Sequence, residues 1–397
     1  MKIVEINSFS FGSTGKIMLQ IADCARNAGH DVWVAYPQSR DNSKVSADNN
    51  IIIGNRYLRN LHLKLAQFTG LNGCFSYFST KNFLRKLKKI KPDIIHLHNL
   101  HNCYINLPLL FKYIKKNDIK VIWTLHDCWA FTGQCPHFTM AQCDKWKTGC
   151  HHCKTYREYP SSYVDRTKKM WKLKKKWFTG IKDATIITPS QWLGDLVKQS
   201  YLGEYPVNVI NNGIDLSVFQ PTDSDFRKKY DCENKFVLLG VAFGWGVRKG
   251  FDVFVELSRR LDEKYQIILV GTDDEVDKQL PKNIISIHRT LNQAELAEIY
   301  TAADLFVNPT REEVLGLVNI EALACGTPVV TFNVGGSPEC INETCGVVVE
   351  VNDIDNMEKA IRHICEEKPF SKEACIAKAA NFDKSEKFNE CVKLYKT

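Results

Sequence analysis

Two glutamates, Glu313 and Glu321, stand with seven residues between them in NPTREEVLGLVNIEALACGTPVV, residues 308–330. Pro309 marks a turn. Gly316 sits where a loop enters a helix, residues 318–324 read as a short helical run, and Gly326 and Pro328 stop it before a strand opens at Val329. A helix start offers unsatisfied backbone N–H groups and the positive end of a dipole, which suits phosphate. Glu313 falls in the loop before that start, and Glu321 lies about a turn into the helix. One carboxylate can hold a sugar's hydroxyls and the other a ribose diol, with a diphosphate between them. The bland alternative is a solvated loop residue and a helix-surface residue. Against it, Glu321 lies inside VNIEALAC, apolar nearly all round, and a carboxylate there needs a bonding partner.

The elements that must position these groups repeat a simple order. From residue 236 the chain reads strand, glycine-bearing loop FGWGVRKG, helix, strand, strand, helix, and a strand at 304–307 that feeds the two glutamates. This is a doubly wound parallel sheet, in which ligands bind outside the carboxyl ends of the strands. Arg248 and Lys249 follow the first of these strands, so both cations and both carboxylates converge at one edge. Lys and Arg can offset charge that builds on a leaving diphosphate, so no metal is required for that step. No phosphate-binding GxxxxGK[ST] loop is present, which disfavours an ATPase or kinase, and no D-x-D triplet stands in an acidic cluster suited to Mg²⁺.

The first half starts the same way: a strand at 2–6, a loop containing Gly12 and Gly15, a helix from about residue 16 to 28, and a strand at 31–35. The loop is not GxGxxG, so a dinucleotide fingerprint is missing. A strand at 120–125 delivers His126 and Asp127 at its carboxyl end. His96, His98 and His101 read as packed or hydrogen-bonded histidines.

Residues 127–154, DCWAFTGQCPHFTMAQCDKWKTGCHHCK, form a loop-like insertion. Cys135, Cys143, Cys150 and Cys153 are separated by seven, six and two residues. That closing C-x-x-C with two earlier cysteines is a structural-zinc spacing. Cys128, His137, His151 and His152 are alternative ligands, and four reduced cysteines with no metal is the plain alternative. The run YVDRTKKMWKLKKKWF, residues 163–178, interleaves cations with large apolar side chains. It reads as a surface helix able to rest on anionic lipid, or else as a solvated basic face. No helix-turn-helix, RNA-recognition or zinc-finger pattern accompanies it, so no nucleic-acid partner is expected.

The bulk properties agree with two domains of different character. The chain has 397 residues, 44% hydrophobic and 25% charged, as in soluble globular proteins. Residues 1–200 hold 31 Lys+Arg against 13 Asp+Glu, a net +18, and residues 201–397 hold 22 against 32, a net −10. No run approaches 18 apolar residues, and the first residues read as a strand rather than a signal peptide. The expectation is a cytoplasmic protein whose 15 cysteines are reduced.

REEVLGLVNIEALACGTPVV resembles the signature of the retaining family 4 glycosyltransferases. GSTGKI, WTLHD, DKWKTGCHHC, TPSQWL, VINNGID, RKGFD and GGSPE are similar to segments of colanic-acid, capsule and O-antigen glycosyltransferases. The resemblance implies an α/β GT-B fold, two doubly wound Rossmann-like domains facing a central cleft. It implies that Glu313 contacts the transferred sugar and Glu321 the ribose, that Lys249 meets the diphosphate, and that the backbone at Gly316, Leu317 and Val318 cradles it. It places His126 beside the donor sugar and the loop around Gly12 and Gly15 at the cleft. Two departures stand out. Gly244 occupies the place of an arginine in the family's G-R-x-x-x-x-K-G arrangement, leaving Arg248 as the nearby arginine. Val314-Leu315-Gly316 replaces the usual G-F-G.

The expectation is therefore a retaining hexosyltransferase of cell-surface polysaccharide synthesis. Its partners would be a nucleotide-sugar donor, a lipid-linked saccharide acceptor and an anionic membrane surface on the inner face. Its catalytic residues would be His126, Glu313 and Lys249. A GT-B nucleotide-sugar epimerase or hydrolase, and a non-enzymatic lipid- or polyanion-binding protein, are the alternatives. The expected organisation is an N-terminal domain at 1–213, a linker at 214–234, a nucleotide-sugar domain at 235–375, and a C-terminal helix at 376–397 that crosses back.

Overall fold

The structure is a computed structural model that describes residues 1–39 and 49–396. Its strands are β1 (Lys2–Ile6), β2 (Asp31–Tyr36), β3 (Asn50–Ile52), β4 (Ile94–Leu97), β5 (Lys120–Thr124), β6 (Ala184–Thr188), β7 (Val207–Val209), β8 (Phe236–Val241), β9 (Tyr265–Val270), β10 (Ile284–Ile287), β11 (Leu305–Asn308), β12 (Val329–Phe332) and β13 (Gly346–Val349). Its helices are α1 (Gly12–Asn27), α2 (Arg56–Thr69), α3 (Tyr77–Ile90), α4 (Leu107–Lys116), α5 (Thr167–Phe178), α6 (Gln191–Gln199), α7 (Phe226–Lys229), α8 (Phe251–Arg260), α9 (Asp274–Asp277), α10 (Gln293–Ala302), α11 (Leu317–Ala324), α12 (Ile354–Glu367), α13 (Lys372–Ala380) and α14 (Lys384–Lys393).

The chain divides into two units, Met1–Asn211 with Lys387–Thr397, and Asn212–Glu386. The first holds a seven-stranded sheet in the order β3-β2-β1-β4-β5-β6-β7, the second a six-stranded sheet in the order β10-β9-β8-β11-β12-β13. Every ladder is parallel. Strands covered on both faces must be apolar on both, and β9, YQIILV, is buried at every position. The order reverses between β1 and β4 in one sheet and between β8 and β11 in the other. At such points the loops after the strands part and leave a crevice. Asn55, Asn106, Ser190 and Ser371 cap α2, α4, α6 and α13 through their side chains, each typically contributing about 1 kcal/mol.

The structure departs from the sequence reading in four places. Helix α1 opens at Gly12, not at residue 16, so Gly12 and Gly15 lie in its first turn rather than in a loop. Gly15 is needed there because a Cβ would stand 2.7 Å from the carbonyl carbon of Ser10. Residues 214–234 are no linker: Ile214, Phe219, Phe226 and Cys232 are buried in the core of the second unit. Residues 376–397 are not one helix. Cys375 and Ala379 of α13 join the second core, whereas Phe388, Cys391, Val392 and Tyr395 join the first.

The fourth departure concerns the basic stretch at 163–178. Only α5 is helical, and Met170, Trp171 and Phe178 face inward. The Phe178 ring lies 4.7 Å from that of Phe111 and 5.0 Å from that of Trp123. Met170, Trp171 and Phe178 are thus committed to the core, while Leu173 and Trp177 remain partly exposed.

Candidate active site

In the second unit, the loops after β8 and β11 are laced together. The Arg311 amide donates to the Arg248 carbonyl at 2.8 Å, and the Thr310 hydroxyl donates to the same oxygen at 3.3 Å. The Arg311 guanidinium grips both carboxylate oxygens of Asp252 at 2.7 Å. Gly250 permits the close approach: its φ is +75°, and a Cβ there would stand 2.4 Å from the Pro309 carbonyl oxygen. Lys249 Nζ thereby comes to 2.8 Å from Glu313 Oε2, with each side chain about a fifth exposed (19% and 21%). For a pair so largely buried, desolvation offsets much of the attraction. The pair's value lies in holding a cation and a carboxylate at the β8–β11 reversal point. Gly335 fixes the other side of Glu313, since a Cβ on it would stand 1.7 Å from the Glu313 carbonyl oxygen.

Helix α11 begins directly behind Glu313. Its N-cap is Gly316 at φ +90°, with no side-chain cap. The amides of Leu317 and Val318 have no acceptor one turn earlier in the helix. Two buried polar atoms beside this start have no partner, Asn319 Nδ2 and Ser337 Oγ. A Cβ on Gly316 would lie 3.1 Å from the first and 3.4 Å from the second. Asn319 is held by Asn308 Nδ2, which donates to its Oδ1 at 2.7 Å. A helix start without a cap, flanked by unsatisfied buried donors and a lysine, has the makings of an anion cradle.

Glu321 is half-buried on α11 and accepts from the Tyr300 hydroxyl at 3.1 Å. Burial, reinforced by the Glu321 charge, holds the Tyr300 hydroxyl far above its usual range, so it stays a donor. The partner that the sequence demanded for this carboxylate is thus supplied from α10. Arg248 is exposed. Gly244 lies in an open left-handed turn (φ +81°) with nothing within 4 Å of a Cβ position.

In the first unit the β1–β4 reversal carries a buried polar chain. Glu5 on β1 is paired in register with His96 on β4. Glu5 Oε2 is 2.8 Å from His98 Nε2, and His98 Nδ1 is 3.0 Å from His126 Nε2. Tyr395 donates to Glu5 Oε1 at 2.8 Å. His96 lies 2.7 Å from the Tyr395 hydroxyl through Nδ1 and 2.8 Å from Thr124 Oγ1 through Nε2.

Charge assigns the protons along this chain. Hydrogen bonds and the neighbouring imidazoles outweigh burial and lower the Glu5 carboxyl to about 2, so it is ionised. Burial lowers His98 to about 4 and His126 to about 3, so both are neutral near pH 7. An ionised Glu5 only accepts, so His98 carries its proton on Nε2. Its Nδ1 must then accept, so His126 donates from Nε2 and keeps Nδ1 as an acceptor. Glu5, His96 and His98 are the one group of three among the described residues whose ligand atoms lie within 4.8 Å of one another. Hydrogen bonds already account for each of them.

His126 follows β5 and is half-buried. Asp127 beside it accepts from His101 Nε2 at 2.9 Å and from the Trp129 amide at 2.8 Å. Gly12 is exposed at the start of α1. The sequence reading missed Asn319, Ser337, Tyr300, Glu5 and Tyr395. A lone carboxylate inside the apolar strand KIVEI was the available signal for Glu5.

Residues 14–218 match the family model described as Glycosyltransferase Family 4, and residues 233–367 match that described as Glycosyl transferases group 1. The chain is 26% identical over 270 residues to the putative colanic acid biosynthesis glycosyl transferase WcaC of Escherichia coli K12, a match spanning 66% of this chain and 65% of that protein. Among solved structures, sucrose-phosphate synthase from Thermosynechococcus elongatus superposes with a TM-score of 0.74 at 19% identity, covering 100% of this chain and 98% of the other. Anabaena HepE in complex with UDP gives 0.71 at 16% identity over 100% of both chains. At these identities the structural likeness shows the fold, two Rossmann-like α/β units of the GT-B type. Since one family model alone spans more than half of its length, the chain belongs to glycosyltransferase family 4.

Proposed function

We propose that the protein transfers a hexosyl unit, with retention, from a nucleoside-diphosphate sugar to a lipid-linked saccharide in cell-surface polysaccharide assembly. The observation that carries this reading is the open start of α11, with Lys249–Glu313 on one side and the unpartnered Asn319 and Ser337 atoms on the other. The diphosphate would lie on the α11 amides and Lys249, the ribose diol on Glu321, and the sugar hydroxyls on Glu313. HepE was solved with UDP, which favours a donor of that kind. In the transfer, the acceptor hydroxyl oxygen bonds the anomeric carbon on the face from which the diphosphate departs. The bond from that carbon to the phosphate oxygen breaks, and the hydroxyl proton passes to the leaving phosphate. Lys249 and the helix start stabilise the negative charge gained there, and no protein nucleophile or metal ion takes part.

A panel of nucleotide sugars scored by thermal shift tests this. The true donor should stabilise by about 2.7 kcal/mol at a hundred times its dissociation constant. A flat response across all nucleoside diphosphates would overturn the reading.

The membrane part of the proposal rests on α2 and the start of α3, in place of α5. Tyr57 (83%), Leu61 (53%), Phe68 (65%) and Phe78 (79%) are exposed, and Tyr57, Leu61 and Phe68 recur at helical spacing on one outward stripe. Neither helix contains an acidic residue, while Arg56, Lys64, Lys81 and Arg85 are exposed among the rings. An apolar stripe flanked only by cations suits an anionic lipid surface. Leu61→Asp with Phe68→Asp should lower binding to vesicles containing anionic lipid by at least tenfold, on the order of the loss from unburying two large apolar side chains. Equal sedimentation of the variant and the parent with those vesicles would sink the assignment.

A further inference from the structure

Residues 125–166, between β5 and α5, hold no strand or α-helix, only 3-10 turns at Trp129–Phe131 and Lys145–Lys147. Yet Trp129, Phe131, Trp146 and Cys150 are buried within this segment. A stretch with neither ladder nor helix needs another source of order. Cys135, Cys143, Cys150 and Cys153 line one cavity there, walled by Phe138 and Trp146, and none of the four is in a disulfide.

Two features beside the cavity point to a ligand that turns thiols into anions. The Gly133 amide donates to Cys150 Sγ at 3.1 Å, and a Cβ on Gly133 would stand 2.8 Å from that of Cys150. The residue is therefore glycine where the backbone must come close to the sulfur. The second feature is Lys174, which is 0% exposed. Its ammonium sits 3.6 Å over the Trp129 ring and donates to the Trp129 carbonyl, and among the described residues it forms no ion pair with a carboxylate. Burial disfavours its charged form, and negative charge at Cys150, Cys135 or Asp127 would favour it. A buried cation calls for buried negative charge. Zinc(II) on four thiolates carries a net double negative charge and supplies it.

We propose that Cys135, Cys143, Cys150 and Cys153 bind one structural zinc ion that pins residues 125–166, with Lys174 as its buried counter-charge. The four sulfurs are not gathered in threes within 4.8 Å of one another. Binding draws the half-buried thiols of Cys135, Cys143 and Cys153 in around Cys150, and each thiol gives up its proton to water. The ion would also brace the candidate site. Lys174 holds the Trp129 carbonyl, and the Trp129 amide holds Asp127, the neighbour of His126.

Metal analysis of the tag-free, full-length protein purified without added metal tests the proposal. It should find about one equivalent of zinc, and cobalt(II) exchanged into the site should show thiolate charge-transfer absorption. Releasing the zinc should expose four additional reactive thiols and lower the melting temperature. Cys150→Ser with Cys153→Ser should lose the metal, whereas His151→Ala with His152→Ala should keep it. The proposal is overturned by less than about a tenth of an equivalent of zinc in the unmodified protein, by iron in its place, by disulfides among the four cysteines, or by loss of metal from the histidine variant. The measurement on the unmodified protein decides even where the serine variant fails to fold.

Discussion

Glu313→Ala is expected to lower the transfer rate by about 10²–10³-fold, the usual consequence of removing one oriented polar group from a transition state, while nucleoside diphosphate still binds. The split follows from where the side chain stands. Glu313 Oε2 engages Lys249, and its Oε1 takes up the Val314 amide at 3.1 Å. In the proposed complex it reaches the sugar, whose ring gains positive charge as the diphosphate leaves. Losing it frees Lys249 for phosphate, so affinity for the bare nucleotide should hold or rise. Lys249→Ala should do the reverse and weaken nucleotide binding. Because the pair is about four-fifths buried, either variant leaves its partner unpaired, at a cost of about 1–3 kcal/mol in folding stability. Single-turnover rates and calorimetric titration of the free nucleotide separate these outcomes. Full turnover by Glu313→Ala would remove the sugar-gripping role from this residue.

The convergence of Lys249 and Glu313 was legible because it depends on topology. Each residue follows a strand of one parallel sheet, and alternation of strand and helix puts all such loops at the same edge. The demand of Glu321 for a partner was legible too, since it sits in an apolar helix. That the partner is Tyr300 was not, because no periodicity links α10 to α11. The orphaned atoms of Asn319 and Ser337 were invisible for the same reason.

The misreadings have a common cause, in that composition was taken for environment. The run at 163–178 is rich in lysine, but Lys174, placed between Met170 and Phe178 on the inward stripe, is fully buried. Residues 214–234 are polar on average, yet Phe219 and Phe226 are core residues. In α2, conversely, a pattern that ordinarily marks an inward face points outward, and only the fold reveals which way it turns. The start of α1 was placed late because glycines at 12 and 15 resemble a loop. There Gly15 allows the helix to begin against the backbone of Ser10, and Gly12 takes the left-handed conformation at its start (φ +68°).

Glu5→Gln is expected to destabilise the first unit by about 3 kcal/mol, the scale of breaking a buried charged network by removing one partner. The carboxylate accepts from His98 and from Tyr395, residues 93 and 390 positions away, so it joins β1, β4 and the chain's last turn. An amide in its place offers one acceptor oxygen for these two donors and turns its own N–H towards the other. His98 is then free to carry its proton on Nδ1, which turns that atom towards His126 as a donor and removes the acceptor that orients it. Stability of the parent should also fall with acid. The unfolded chain takes up protons on its imidazoles near pH 6.5, whereas burial delays His98 to about 4 and His126 and His62 to about 3. The unfolded state therefore binds more protons in that window, and their contribution is full above pH 6.5 and lost as pH falls towards the folded values. For His62, shifted by burial alone, lowering the pH from about 6.5 to about 5 removes about 2 kcal/mol. The lowered Glu5 carboxyl acts with the same sign, its share present above about 4.5 and lost towards about 2. Urea unfolding midpoints at about pH 7.5 and about pH 5 measure the histidine share, and a third at about pH 3 adds that of Glu5. His62→Phe should flatten the pH dependence by its own share, and a Glu5→Gln variant as stable as the parent at pH 7.5 would dismiss the carboxylate as the anchor of the chain to His126.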